Sequence, residues 1–182
     1  MTTDFSVIIL AAGSGTRLGT PVPKQFVDVG GRRLVDFSLD AFVGWASQVI
    51  VTIPADAAGD DVTLPAGVEA VRGGDTRAES VRRALALVEH DAVLIHDAAR
   101  PFVTREIASA VLDALADATC AYPVMPVPST IVTDAEGSLS ATPGRESLRE
   151  VQTPQGFRTA ALREVLDAGP RDGANEPHSH LP

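Results

Sequence analysis

The sequence predicts an α/β fold, built as a Rossmann-like, mostly parallel sheet with flanking helices. Short apolar runs rich in valine and isoleucine alternate with longer segments in which apolar residues recur at helical spacing. The apolar runs show no polar alternation, which is typical of strands covered by helices on both faces. In such a sheet, ligands bind beyond the carboxyl ends of the strands. The loops that follow the strands are therefore the candidate functional sites.

The elements follow from these runs in chain order. The predicted strands span residues 5–10, 48–53, 68–71, 92–96 and 121–127. The predicted helices contain residues 34–42, 80–88 and 107–115. The second helix has a start signal, because Thr76 and Glu79 are spaced as a capping box, in which each side chain bonds a free backbone N–H of the first turn.

The stretch from about residue 130 to 152 breaks the alternation. Residues 130–133, the turn-like "DAEG" and residues 138–142 predict a hairpin that leaves the main sheet. We expect this hairpin to be a protruding dimerisation arm. Residues 1–168 are predicted to form one domain that contains the arm, and residues 169–182, rich in Gly and Pro, are predicted to be a disordered tail.

Composition limits the classes of function. With 182 residues, of which 45% are hydrophobic, the chain is long enough to bury one full core. The net charge of −9 offers no diffuse attraction to nucleic acid or to an anionic membrane, so an anionic ligand needs a local cationic cluster. Cys120 is the only cysteine, no basic leader precedes the first strand, and no apolar run is long enough to span a bilayer. We therefore expect a cytoplasmic protein without a membrane or nucleic-acid partner.

The stretch "LAAGSGTRLGTPVPKQF", residues 10–26, follows the first predicted strand. Gly13 and Gly15 let the backbone approach a ligand without a Cβ, so that successive N–H groups can point at phosphate oxygens. Arg17 and Lys24, the only lysine of the chain, are suited to bind a triphosphate. An ordinary glycine-rich turn is the alternative. The spacing matches neither the dinucleotide-binding fingerprint nor the P-loop.

Two further loops follow predicted strands. In "GGDTRAESV", Gly74, Asp75 and Ser80 surround a helix start and can make small polar contacts to a base and a ribose. In "HDAARPF", Asp97 falls at the end of a buried strand, where a carboxylate requires a cation. That cation is either a magnesium ion that bridges phosphates or the guanidinium of Arg100. Alternatively, Asp97 only caps the start of a helix. His96 is predicted to be a packed residue at the strand end.

These motifs, with "QTPQGF" at residues 152–157, resemble those of the 2-C-methyl-D-erythritol 4-phosphate cytidylyltransferase family, over residues 7–166 and in the same order. The resemblance implies transfer of CMP from CTP to that polyol phosphate, with release of pyrophosphate, in non-mevalonate isoprenoid synthesis. It also implies a divalent cation, Mg²⁺, and a homodimer. In-line attack on the α-phosphorus would then need alignment and charge stabilisation, without a protein nucleophile.

The resemblance implies a role for each matching residue. Arg17 and Lys24 would stabilise the transition state, and Asp97 would bind the metal. Nucleotide contacts are implied for Ala11, Ala12, Gly13, Gly15, Gly74, Asp75, Ser80 and Ala98. Contacts to the acceptor are implied for Arg100 and Thr153, with Thr130 and Arg145 contributed by the arm of a neighbouring subunit.

The sequence also departs from the family pattern. The family continues beyond Leu166 with a segment that contains a second lysine, which this chain lacks, and Ser129 and Val132 replace an acidic and a basic residue beside Thr130. Two alternatives therefore stay open. One alternative is a ribitol 5-phosphate cytidylyltransferase, although the residues "AARP" favour the first family. The other is a catalytically impaired nucleotide-binding module.

Overall fold

The computed structural model describes residues 4–13, 23–54, 62–135 and 137–169. The strands are β1 (Phe5–Leu10), β2 (Gln48–Ile53), β3 (Val68–Arg72), β4 (Ala92–Asp97), β5 (Cys120–Ala121), β6 (Val124–Pro126), β7 (Thr133–Ala135), β8 (Ser138–Ala141), β9 (Arg149–Val151) and β10 (Gln155–Arg158). The helices are α1 (Leu34–Phe42), α2 (Arg77–Leu85), α3 (Arg105–Ala114) and α4 (Thr159–Ala168). The first four predicted strands and all three predicted helices are thus confirmed, with ends that differ by up to three residues.

Six strands form the main sheet, in the order β3-β2-β1-β4-β10-β5. β1 pairs in parallel with β2 and β4, and β2 pairs in parallel with β3, whereas β10 is antiparallel to its neighbours β4 and β5. The predicted mostly parallel α/β sheet is confirmed. Leu10 is in register with Thr52 and Asp97, so the carboxyl ends of the three central strands meet at one edge. The strand order reverses at β1, which marks that edge as the expected ligand crevice.

The core has two layers, because alternate side chains of a strand point to opposite faces. On one face, Phe5, Val7 and Ile9 of β1 pack with buried residues of α1 and α3. On the other face, Ile8 packs with buried residues of α2 and α4. β1, β2 and β4 are therefore covered on both faces, as predicted, but the edge strand β3 has no buried residue, and Glu69, Ala70 and Arg72 are exposed.

The prediction of one strand over residues 121–127 is wrong. The chain forms β5 in the main sheet, leaves it at Pro123, and then forms β6, which pairs with β9 in a separate two-stranded sheet. Proline has no N–H to donate to a sheet ladder, so a break at this position is expected. β10 lies between β4 and β5 in the main sheet, and the sequence patterns did not predict this strand.

The predicted hairpin is present as β7 and β8, joined through Gly137 at a φ of +83°, but β7 begins at Thr133, where the predicted first strand ends. It pairs with no other strand of the described chain and carries an exposed apolar residue, Leu139. Of the predicted tail, only Gly169 falls within the described residues. Among the helices described, none combines the length and the apolar character that crossing a membrane requires.

Candidate active site

A cleft of about 950 Å³ opens at the carboxyl edge of the main sheet. Its described lining comes from the loops after β1, β3 and β4, and from the segment that leads into β10. Three cationic side chains, Lys24, Arg77 and Arg100, and two acidic ones, Asp75 and Asp97, line it. Although the chain has a net charge of −9, this cleft has a local cationic excess, which the sequence analysis required for an anionic ligand.

The first side of the cleft is the beginning of the glycine loop. Ala12 and Gly13 line the cleft, whereas Ala11 is buried and its N–H donates to the carbonyl and the hydroxyl of Thr52. Lys24 begins a 3₁₀ turn, residues 24–26, and also lines the cleft. The turn therefore brings the only lysine of the chain next to the loop, as the sequence analysis expected. Gly15 and Arg17 lie outside the described residues.

The second side is the loop between β3 and α2. The Thr76 hydroxyl accepts from the N–H of Glu79, which is one half of the predicted capping box. The Glu79 carboxylate accepts from the N–H of Asp75 at 2.9 Å, one residue before the position that the capping box predicts. This N–H first, and then the guanidinium of Arg83, lower the pKa of the Glu79 carboxyl. The Ser80 hydroxyl accepts from the N–H of Gly74 at 3.0 Å and donates to the Thr76 carbonyl, so it bonds the loop backbone at two positions.

The two loops touch each other at Gly73. A Cβ at this position would lie 2.2 Å from the Cβ of Ala12 and 2.9 Å from the Ser80 hydroxyl, closer than atoms can approach. The backbone of Gly73 is also fixed, because its N–H donates to the Ile53 carbonyl and its carbonyl accepts from Arg83. Glycine is therefore required here so that the predicted phosphate loop and the predicted base loop can meet in one cleft.

Asp97 lies between two arginines at the end of β4. Its carboxylate is 3.3 Å from Nε of Arg100 and 3.6 Å from Nη2 of Arg77. The ion pair with Arg100 was one of the sequence-based readings, and it is present. Arg77 also donates to the side chain of Gln155, while its Nη1 is buried without a hydrogen-bond partner among the described residues. Arg77 thus links the start of α2 to both β4 and β10.

Behind Asp97, His96 connects the residues implied for the acceptor. It is fully buried, with Nε2 3.1 Å from the Arg100 carbonyl and Nδ1 3.0 Å from the Thr153 hydroxyl. Because a carbonyl only accepts, Nε2 carries the hydrogen and Nδ1 accepts from Thr153. Burial lowers the pKa of His96 to about 4, against the opposing effects of the Arg100 carbonyl and the Asp97 charge. The prediction of a packed histidine at the strand end is confirmed.

The other implied residues lie farther from the cleft surface. Ala98 is completely buried, with its N–H donating to the Leu10 carbonyl, and it is the neighbouring Ala99 that lines the cleft. Thr130 and Arg145 are exposed and are not part of the described lining. The structure therefore brings together Lys24, the loop between β3 and α2, Asp97, Arg100 and Thr153, and leaves Thr130 and Arg145 outside.

Three residues of this site were not singled out by sequence reasoning. Arg77 and Gln155 form the link across the cleft, and Gln25 bonds the carbonyls of Ala11 and Gly13. Two of them lie in or beside the motifs that the sequence analysis considered, because Arg77 is part of "GGDTRAESV" and Gln25 follows Lys24. Their partners lie 78 and 12 to 14 positions away along the chain, and no local pattern reports such a pairing.

The cleft combines the backbone of the glycine loop with three cationic side chains, which suits phosphate groups. The polar loop between β3 and α2 could contact a base. The Thr153 hydroxyl donates to His96, but burial lowers the pKa of that histidine to about 4, so the imidazole is too weak a base to activate the hydroxyl as a nucleophile. Nor does the described part of the chain gather three metal-ligating side chains at one place. These features suit a reaction in which charged groups are aligned, such as transfer of a nucleotidyl group.

Comparisons with known proteins agree with this geometry. The family model described as IspD, 2-C-methyl-D-erythritol 4-phosphate cytidylyltransferase, matches residues 5–178. An enzyme of that name from Thermus thermophilus is 44% identical over 172 residues, which cover 93% of this chain and 78% of the relative. One from Deinococcus radiodurans is 46% identical over 162 residues, covering 88% and 67%.

A solved structure of the enzyme from Thermus thermophilus superposes with a TM-score of 0.78 at 36% identity, covering 98% of this chain and 82% of that one. The sequence similarity and the shared fold thus extend over the same loops that build the cleft. The chain belongs to the 2-C-methyl-D-erythritol 4-phosphate cytidylyltransferase family.

Proposed function

We propose that this chain transfers CMP from CTP to 2-C-methyl-D-erythritol 4-phosphate and releases pyrophosphate, in isoprenoid precursor synthesis. The observation that carries the proposal is the contact between the glycine loop and the "GGD" loop at Gly73, in a chain of the cytidylyltransferase family. The contact supports the proposal because it joins the loop expected to bind phosphates to the loop expected to bind the base. The comparisons do not favour the ribitol 5-phosphate alternative.

The chemistry follows from the cleft. A phosphate oxygen of the acceptor attacks the α-phosphorus of CTP, the bond from the α-phosphorus to the bridging oxygen breaks, and pyrophosphate leaves with the electron pair. In our proposal Arg17 and Lys24 neutralise the charge that grows on these oxygens. We assign the phosphate contacts to the backbone of Ala12, Gly13 and Gly15 and the cytidine site to Gly74, Asp75 and Ser80, with Ala11 and Ala98 supporting the loops from the core.

Mg²⁺ is proposed to enter with CTP, bound mainly by the triphosphate. Asp97 fits as its protein ligand by type, because Mg²⁺ in such sites is bound through one or two carboxylates together with substrate phosphates. Its carboxylate is now paired with Arg77 and Arg100, so these ion pairs must open for direct coordination. The ion would supply charge neutralisation at the phosphates when it is bound.

The acceptor is proposed to bind between Arg100 and Thr153. A guanidinium can give two parallel hydrogen bonds to a phosphate, which suits Arg100 for the phosphomonoester. The Thr153 hydroxyl already donates to His96 and accepts from the Asp97 N–H at 3.5 Å, so it keeps one lone pair for a hydroxyl group of the acceptor.

The direct test is a pyrophosphate-release assay with CTP and either 2-C-methyl-D-erythritol 4-phosphate or ribitol 5-phosphate. Release with the first acceptor only is expected. CTP with Mg²⁺ is also expected to raise the melting temperature more than ATP does, because it binds the folded state. Equal shifts with both nucleotides would contradict the cytidine site. A shift with CTP but no pyrophosphate release with either acceptor would instead favour the nucleotide-binding module.

Lys24→Met tests the catalytic assignment within the same assay. Turnover is expected to fall far more than CTP affinity, because a contact to the transition state is worth most where charge develops. Lys24→Arg is the matched control that keeps the charge. If Lys24→Met kept the parent's turnover, the proposed role of Lys24 would be wrong.

The arm supports a proposed homodimer. The hairpin β7–β8 has no pairing partner in the described chain, and an isolated two-stranded hairpin is marginally stable in water. Exposed apolar residues accompany it, among them Met125, Ile131, Val132 and Leu139. In a two-fold dimer, Thr130 and Arg145 of one protomer would reach the acceptor site of the other.

Sedimentation at micromolar concentration is expected to show a dimer. Mixed and refolded Lys24→Met and Arg145→Ala chains are expected to regain part of the activity, since some heterodimers keep one undamaged site. A monomer, or heterodimers without rescue, would refute the shared site.

A further inference from the structure

Gln25 is a buried polar residue to which the proposed mechanism gives no role. Its exposed fraction is 2%, and it follows Lys24 in the 3₁₀ turn of residues 24–26. Its side-chain nitrogen donates to the Ala11 carbonyl at 2.5 Å and to the Gly13 carbonyl at 2.8 Å. A glutamine amide has two hydrogens to donate, so both are spent on the first residues of the glycine loop.

These two bonds set the direction of the loop peptides. In a planar trans peptide, the carbonyl of one residue and the N–H of the next point in opposite directions. Because Gln25 holds the Ala11 carbonyl, the N–H of Ala12 points away from Gln25. Ala12 lines the cleft, and the Ala11 N–H is already bonded to Thr52 on the core side. A rotation of these peptides would turn carbonyl oxygens, rather than N–H groups, toward a bound phosphate.

The same side chain fixes Lys24 relative to the loop. The turn is closed by bonds from the Phe26 N–H to the Pro23 carbonyl, at 2.9 Å, and from the Val27 N–H to the Lys24 carbonyl, at 3.3 Å. Lys24 and Gln25 are thus parts of one short, closed unit. Attachment of that unit to Ala11 and Gly13 determines where the ammonium group stands relative to the N–H groups of the loop.

We infer that Gln25 is a positioning residue of the phosphate site, which orients the loop peptides and Lys24 together for the triphosphate of the nucleotide. The inference deepens the proposed function and rests on it for the identity of the nucleotide. A merely structural glutamine would lower the affinity for every nucleotide alike. A positioning glutamine affects ligands in proportion to the phosphates they carry, because the base binds at the separate loop of residues 73–80.

The test is calorimetric titration of CTP, CMP and inorganic tripolyphosphate into the parent, Gln25→Met and Gln25→Glu. Methionine fills a similar volume without donors, and a glutamate carboxylate opposes two carbonyl oxygens. Gln48→Met is the matched control, since Gln48 is also a buried glutamine but bonds Glu69 and the Leu87 carbonyl, away from the cleft.

In Gln25→Met the ratio of CTP affinity to CMP affinity is expected to fall about tenfold, as for the loss of one hydrogen bond to a charged group, with CMP affinity changed less than about twofold. Tripolyphosphate affinity is expected to fall with it, and Gln48→Met is expected to keep both values. Gln25→Glu is expected to show the same pattern with a larger loss, and it decides the question if the methionine variant does not fold.

An unchanged ratio, an equal loss for CTP and CMP, or a parent that does not bind tripolyphosphate would overturn the inference. The proposed function fails separately. If the parent binds tripolyphosphate in a Gln25-dependent way but prefers ATP to CTP, the positioning role stands and the cytidine assignment does not.

Discussion

The buried His96 makes the stability of this protein depend on pH in a defined window. Its pKa is about 4 in the folded chain, because burial disfavours the imidazolium, against 6.5 as the ordinary value. Between these values the unfolded chain binds more protons than the folded one, so the free energy of unfolding falls as the pH falls from 6.5 to 4. The two pKa values give a loss of about 2 kcal/mol between pH 8 and pH 5, with more below.

Urea unfolding at a series of pH values between 8 and 5 measures this loss. With a slope of about 2 kcal/mol per molar urea, the midpoint is expected to fall by about 1 M. Carboxyl groups with lowered pKa values, such as Asp36 and Glu79, lose their contribution mainly below this window. His96→Leu removes the titrating group and is expected to flatten the dependence, whatever its effect on overall stability.

Ile95→Ala is the matched control, because it destabilises the same strand by about 2–5 kcal/mol without removing a titrating group. Its midpoints are expected to lie lower at every pH, with the parent's dependence retained. If His96→Leu kept the parent's pH dependence, or if the parent's stability were constant from pH 8 to 5, then the histidine would not be held neutral by burial and our reasoning would be refuted.

Two further predictions concern local geometry. Gly73→Ala is expected to weaken CTP binding at least tenfold by calorimetry and to cost about 1–3 kcal/mol of stability by thermal melting, because its Cβ would overlap Ala12. Gly74→Ala is expected to have smaller effects, because the atoms nearest to its Cβ belong to the flexible Glu79 side chain. Equal effects of the two changes would contradict the close contact of the loops. Thr104→Ala is expected to cost about 1 kcal/mol in urea unfolding, because the Thr104 hydroxyl caps α3 at the Ile107 N–H, whereas Thr104→Ser keeps the cap; equal losses would argue against it.

The sequence by itself determined the central strands and identified two of the loops that line the cleft. β1 and β2 have the predicted bounds, because each is a short apolar run, one after Asp4 and the other before Pro54, and both faces of each strand are covered. The glycine loop and the "GGD" loop could be identified because their glycines lie close in sequence to charged and hydroxyl residues. Local signals of this kind report backbone freedom, capping and periodicity, all of which act within a few residues.

Only the tertiary structure decided which distant residues meet. β10 enters the sheet next to β4 although its sequence is short and contains a glycine, because Gly156 lets α3 approach closely, with Val111 only 2.6 Å from the position of a Cβ. The pairing of Asp97 with Arg77, and of His96 with Thr153, likewise joins the end of β4 to a helix start and to a loop, 20 and 57 positions away along the chain. Such contacts follow from the packing of whole layers around the core, which no single stretch of the chain encodes.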